Sequence, residues 1–425
     1  MKNKGLKLIY SRSDQNIILI SYLVFAVLFL SYVIELPYYF SHEGFKNEFD
    51  FRKIPFLLLI LALPLLNPFI KTAYIKATWN ILIIYLLYSS VIYYFFNDAR
   101  ISIVIQNLIL ILTILVADYI EPSIKIKTFD ANKYYILLLL VAFLFFIPFL
   151  KYYDQINLGN ILFKDVYETR FLFRNIDNKY IGYLESPLSR VLLPVVAIIA
   201  LNKRNIYVFT IAVIMILYIY LCSATKSLLI GILVVLFFYY GKDFIVKYKI
   251  FALLVAGLCL TGIFLSYFFN ELYLYDAFVR RVFFIPPKLD NIYHQYFTGN
   301  YTYYGHSSLS FGFLPNKYGE SLSMFMGENV MKTKGLNANV GILTEGYSAL
   351  GYPGVFISSL IYLILVVLIK AFKLAPEFFG LTFIYIYVFN SSFLSTIFFS
   401  HGFFFLLVFL FLFLNNINIK ESGKS

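Results

Sequence analysis

Residues 206–240 read IYVFTIAVIMILYIYLCSATKSLLIGILVVLFFYY. Two apolar runs, 206–222 and 227–240, flank the polar tip Ser223-Ala224-Thr225-Lys226. The first run approaches the ~20 residues that a helix needs to cross a bilayer, and the second is short. Neither alternates between apolar and polar residues as a barrel strand must, so the pair predicts a helical hairpin in lipid. The rest of the chain has the same character. Of 425 residues 61% are apolar and 14% charged, against about 25% charged in an average soluble protein. The mean hydropathy is +0.78. No soluble fold hides that much apolar surface, and disorder, collagen and disulfide scaffolds are excluded by the same composition.

Matching apolar runs to bilayer thickness gives candidate spans at 17–40, 54–70, 78–96, 101–120, 134–150, 186–201, 206–222, 227–240, 250–269, 340–369, 379–399 and 402–416. The run at 340–369 is interrupted by Gly346, Gly351, Pro353 and Gly354, which predicts a separate short helix before a true span near 352–369. The expected fold class is all-α: a polytopic integral membrane protein of about 12 transmembrane helices, with 1–425 as a single membrane domain.

The net charge of +12 is expected on the cytoplasmic face rather than on nucleic acid. The basic start, with Lys2, Lys4, Lys7 and Arg12, leads into a run too long for a cleaved signal and is read as an uncleaved first span. Further basic clusters are Lys71 with Lys76; Lys125, Lys127 and Lys133; Lys203 with Arg204; Lys242, Lys247 and Lys249; Lys370 with Lys373; and Lys420 with Lys424. They fall on alternate connections, so both termini are expected in the cytoplasm. Two long connections, 151–185 and 270–339, then lie outside. Loops of that length without a function are uncommon.

The outside segments should be poor in basic residues, so those present are candidate binding groups. Arg170 and Arg174, in YETRFLFRN, share a face if helical and suit a diphosphate, although Glu168 and Asp177 could equally pair with them. Arg190 follows the helix-start signal ESPLSR, with Ser186 as cap and Pro187 in the first turn. It either snorkels or faces a polar cavity. Lys226 sits at the hairpin tip, as an interfacial anchor or an anion contact. Arg280 and Arg281, in DAFVRRVFFIPP, form an anion site at the outer boundary, with Asp276 as the ordinary salt-bridge alternative.

The four histidines, His42, His294, His306 and His401, show no metal-ligand spacing, and no metal site or cofactor is expected. His306, in YYGHSSLSFGF, lies in the larger outside loop and is a candidate general base, or a plain surface histidine. Glu345, in NVGILTEGYSALG, is a carboxylate in an apolar helix, where such groups face cavities or bond a neighbouring helix. Glu48 and Asp50, in NEFDF, carry only a weak divalent-metal signal. Cys222 and Cys259 have no partner at a sensible spacing. Phosphate-loop and dinucleotide motifs are missing, which disfavours a nucleotide-driven cytoplasmic reaction. The 48 Phe and 38 Tyr beside the single Trp79 follow a chain generally rich in Ile, Asn and Lys, and are not read as sugar platforms.

LCSATKSLLIGILVVLFF (221–238), RRVFFIPPKLDNIYHQYF (280–297) and NANVGILTEGYSALGYPGV (337–355), with VYETR (166–170) as a weaker fourth match, resemble in their order the bacterial O-antigen polymerases of the polymerase/ligase superfamily. Lys226 stands where Arg is commoner, and Asn337-Ala338-Asn339 replaces the His-Asn pair that usually opens the third segment in the related ligases. The resemblance implies a glycosyltransferase of the lipid-phosphate-dependent (GT-C-like) kind in the bacterial cytoplasmic membrane. Its active site would lie on the periplasmic side. It would move a glycan from undecaprenyl diphosphate to a hydroxyl of the next lipid-linked repeat unit, with inversion and without metal, in O-antigen or capsule synthesis. Implied partners are that lipid-linked oligosaccharide, membrane lipid and, optionally, a chain-length regulator, with no nucleic acid. His306 or Glu345 would be the base. Arg170, Arg174, Arg190, Lys226, Arg280, Arg281, Asn337 and Asn339 would hold substrate. The alternatives are a flippase for the same lipid-linked oligosaccharide, or an O-antigen ligase.

Overall fold

The computed structural model describes residues 11–122, 131–162, 168–169, 172–173, 179–241, 243–310 and 312–414. The described residues form helices and connecting turns without strands. In chain order the helices are α1 (Arg12–Glu43), α2 (Phe51–Phe69), α3 (Ala73–Phe96), α4 (Ser102–Tyr119) and α5 (Tyr134–Gln155). Next come α6 (Tyr183–Asn202), α7 (Ile206–Ser223), α8 (Lys226–Tyr239) and α9 (Phe244–Phe269). The last five are α10 (Ile285–Phe297), α11 (Ile342–Leu350), α12 (Tyr352–Ala371), α13 (Pro376–Phe389) and α14 (Phe403–Leu412).

Nine of these are long and apolar enough to cross a membrane: α1 to α7, α9 and α12. The chain is therefore an all-helical, multi-pass membrane protein. The expected spans at 227–240, 379–399 and 402–416 are helices α8, α13 and α14, all shorter than a bilayer crossing. Around α13 the reason is local: its helical run stops at Phe389, and Thr396–Ser400 winds separately in π geometry.

The chain divides into two compact units. One comprises Met1–Glu121, Asp243–Val367 and Asn390–Phe393; the other comprises Pro122–Lys242, Leu368–Phe389 and Leu394–Ser425.

In the first unit α1 packs along α9, and α3 packs against both α9 and α4. In lipid there is little hydrophobic gain between helices, so packing and interhelical hydrogen bonds must hold them. Ser21 and Tyr248 hydroxyls meet at 2.6 Å between α1 and α9. Trp79 Nε1 donates to the Ile111 carbonyl between α3 and α4. Asn107 donates to Ser90 at 2.6 Å across the same pair. The Ser11 side chain caps α1 by accepting from Asp14 N, and Asp14 in turn holds Lys76 at 2.7 Å.

The connection 270–339 is built, not loose. Tyr275–Phe284 winds in π geometry directly into α10. Tyr293, Phe297, Leu322, Met326, Ala338 and Val340 form its apolar core. The glycine-broken run at 340–369 resolves into two helices, α11 and α12, as its interruptions predict. Gly346 and Gly354 bring their backbones together there: a Cβ on Gly346 would lie 2.5 Å from the Gly354 carbonyl oxygen. Ser358 closes the pair by donating to the Ile342 carbonyl.

Candidate functional site

α11 carries two buried polar side chains in its first turn. They are Thr344 and Glu345, both 1% exposed. Neighbouring residues on a helix point about 100° apart, so the two side chains look in different directions. Glu345 looks toward His306: its Oε1 lies 3.7 Å from the imidazole Nε2, and each side chain is 1% exposed. His306 Nδ1 is 2.9 Å from the Thr302 hydroxyl. The two candidate bases chosen separately from sequence thus form one buried pair. At 3.7 Å they are poised beyond direct hydrogen-bond length.

Local backbone brings His306 there. Thr302 N and Tyr303 N donate to the carbonyls of Ser348 and Ala349, pinning the loop to the end of α11. Tyr303 and Tyr304 then take positive φ of 51° and 62°, turning the chain back. Gly305 follows because a Cβ would meet the Pro315 carbonyl oxygen at 2.5 Å. The Tyr304 phenol is raised from its ordinary value by burial and, secondarily, by the Glu345 charge. Phe393 sets its ring edge-on against His306.

Thr344 looks the other way, into a network that sequence reasoning missed. Its hydroxyl donates to Asp290 Oδ1 at 2.6 Å. Gln106 Nε2 donates to Thr344 Oγ1 at 3.1 Å, and the Gln106 carbonyl oxygen lies 2.9 Å from His294 Nε2. Ser102 closes the chain 2.6 Å from His294 Nδ1. Read as donors, Ser102 gives to His294, His294 to Gln106, Gln106 to Thr344, and Thr344 to Asp290. Burial pushes His294 down to about 3, so its imidazole stays neutral as this order requires, and Tyr347 stacks on it with centroids 3.6 Å apart. Burial raises Asp290 to about 7, against the lowering effect of the Thr344 bond. The signal was present in sequence: Asp290 and His294 are four residues apart on a helix, and Gln106 interrupts an apolar run.

The arginine pair is engaged differently from the expectation. Arg280 is 8% exposed and its fork is filled by carboxylates: Nη1 reaches both Glu43 oxygens at 2.7 and 2.6 Å, and Nε reaches Asp276 at 2.5 Å. The Phe40 ring covers its guanidinium at 4.5 Å. Lys288 adds a third cation, 3.6 Å from Glu43. This corrects the reading of Arg280 as an open diphosphate fork; Glu43 and Lys288 were not anticipated. Arg281 is half-exposed, with Nε 3.3 Å from Asp276. Arg280→Ala is expected to destabilise the detergent-solubilised protein by about 1–3 kcal/mol, because Glu43 and Asp276 lose their shared buried donor. Arg281→Ala should leave thermal unfolding nearly unchanged. Equal melting temperatures for the two variants would contradict this.

The remaining candidates are more scattered. Asn337 and Asn339 are exposed on the approach to α11, while Ala338 and Val340 are buried. Arg170 and Arg174 lie outside the described residues. In the second unit, Lys226 opens α8, and its side chain is outside the description. Arg190 is 5% exposed within a π turn, Leu188–Leu192. Its electrostatic neighbours are Tyr385, Glu185, Tyr387 and His401. Burial and then the Arg190 charge push His401 down to about 3. The expected helix start at Ser186-Pro187 is corrected. Helix runs from Lys179, upstream of both, and Pro187 lies inside it. Pro187 has no N–H for the ladder, and the wider π turn begins directly after it. Glu48 and Asp50 are bound by their neighbours Lys46 and Arg52. Among the described residues no three His, Cys, Asp or Glu side chains cluster as metal ligands would.

Compared with protein-family models, with curated proteins and with solved structures, the chain matches none.

Proposed function

We propose that the chain is a lipid-phosphate-dependent glycosyltransferase that polymerises repeat units carried on a polyprenyl diphosphate, as the resemblance to O-antigen polymerases implies. The buried His306–Glu345 pair is the observation that carries this reading. A histidine and a carboxylate placed 3.7 Å apart suit abstraction of a proton from an acceptor hydroxyl. The oxygen then attacks the anomeric carbon in line, and the glycosidic bond to diphosphate breaks with inversion. The diphosphate keeps the bonding electrons, and Arg281 with Lys288, beside Arg280, would meet its developing charge. Diphosphate is a competent leaving group under such cations, so the mechanism uses no metal. With α8, α13 and α14 counted as shortened crossings, the alternating basic clusters put both termini in the cytoplasm and 270–339 on the periplasmic side.

The test is purified protein with lipid-linked repeat units, with and without excess EDTA. A ladder of lengthened glycans, unchanged by chelator, is the expected result. No elongation of any polyprenyl-linked unit defeats the reading. Activity lost with EDTA and restored by magnesium or manganese defeats its metal-free mechanism and moves attention to Glu48 and Asp50.

A further inference from the structure

We propose that Asp290 is the positioning residue of the His306–Glu345 pair: by accepting the Thr344 hydroxyl at 2.6 Å it sets the rotation of α11 that turns Glu345 toward His306. The inference rests on the catalytic reading of that pair.

α11 starts without a side-chain cap. Gly341, its N-cap residue, offers no hydroxyl or carboxylate to the free N–H groups of the first turn. Ser358 holds the Ile342 carbonyl at the start of this turn, and the bonds made by the turn's own side chains to α10 and α4 run through Thr344, to Asp290 and Gln106. A short helix can roll about its axis at little cost unless something fixes it. Rolling would swing Thr344 off Asp290 and Glu345 off His306 together, because both side chains leave the same turn. Tyr347, three residues on from Thr344, stacks on His294 of the same network and supports the same orientation. The two polar clusters are thus coupled through one rigid helical turn.

Asp290 is suited to this by being a carboxyl that burial makes reluctant to ionise. Titratable and charged groups on the elements packed around it include Glu345 and Tyr347 of α11, Tyr93 and Tyr94 of α3, and Tyr275, Asp276, Arg280 and Arg281 of the π segment, while Lys288 and Tyr296 lie on its own helix. Tyr293 and His294 share its own helix, with Arg100 beside His294. Its folded value of about 7 lies above the ordinary 3.8. The folded state then holds a proton that the unfolded state has lost between these values, so stability falls as pH rises through this window and levels off above about 7. Asp290→Asn removes that slope.

The experiment uses full-length protein in nanodiscs, with two readouts. In turnover assays Asp290→Ala and Thr344→Val should each lower kcat by about ten- to a hundred-fold with KM little changed, through a misplaced base. Asp290→Asn, whose amide oxygen still accepts from Thr344, should keep most of the wild-type rate. Independently of turnover, Glu345→Gln should displace the His306 Nε2 resonance in histidine-labelled protein. Asp290→Ala and Thr344→Val should reproduce most of that displacement, and Asp290→Asn little of it. If Asp290→Ala fails to fold, Thr344→Val carries the same expectation with the carboxyl in place. An unmoved His306 resonance in Thr344→Val, or Asp290→Asn as damaging as Asp290→Ala, overturns the proposal. Resonances that move as expected in a protein that elongates nothing uphold the positioning and defeat the glycosyltransferase reading instead.

Discussion

His306→Ala and Glu345→Gln are each expected to lower glycan elongation by about 10²–10⁴-fold, the usual range for removing a positioned acid or base. Both side chains are 1% exposed, so the losses must be separated from damage to folding. Glu345→Gln is the cleaner probe. It keeps the side-chain volume and removes only the capacity to take up a proton. His306→Ala leaves Thr302 without its imidazole partner and opens a small cavity beneath Phe393. His306→Asn, which can still bond Thr302, therefore belongs in the series. Reconstituted protein at matched amounts, assayed with lipid-linked repeat units, gives the rates. The double variant should be little worse than either single one if the two act as a unit, since residues sharing one step are not additive. Full activity in both single variants would show that the reacting proton goes elsewhere.

The apolar runs made the helices legible, because a membrane helix is written locally in some twenty consecutive residues. The span at 227–240 is short, as its length in the sequence already says, and the differences lie at helix ends and starts. α13 and α14 fall short of a bilayer, and Pro187, read as a first-turn residue, sits inside a helix that accommodates it with a π turn. The site was half legible. His306 and Glu345 could each be chosen from residue type and setting, but their meeting depends on the left-handed turn at Tyr303-Tyr304 and on backbone bonds from 302–303 to 348–349. No periodicity encodes such long-range closure. Arg280 shows the opposite error. Its pairing with Asp276 was visible four residues away, while Glu43, which fills the rest of its fork, comes from the distant end of α1. The Asp290 network escaped for the same reason: Asp290 and His294 share a helix face in the sequence, but Gln106 and Thr344, which complete the network, come from α4 and α11.

Gly354→Ala is expected to destabilise the protein by about 3 kcal/mol, at the upper end for overpacking a buried contact. The added methyl would be driven into the Gly346 carbonyl, and backbone on that side cannot rotate away as a flexible side chain could. Relief requires α11 and α12 to move apart, which would break the Ser358 bond to the Ile342 carbonyl at the start of α11. Gly257→Ala in α9 is the matched control. A Cβ there meets nothing within 4 Å, and alanine is favoured over glycine in a helix by about 1 kcal/mol. Thermal unfolding in detergent should place Gly354→Ala well below wild type and Gly257→Ala level with it or above. Equal midpoints for the two variants would mean that the α11–α12 approach is slack. Activity adds a second measure. Whatever separates these helices also displaces the first turn of α11, so the fraction of Gly354→Ala that remains folded should elongate glycans more slowly than wild type, whereas folded Gly257→Ala should match it. A slow but folded Gly354→Ala enzyme would tie the close glycine contact to the placement of Glu345, because the variant alters no residue of the His306–Glu345 pair.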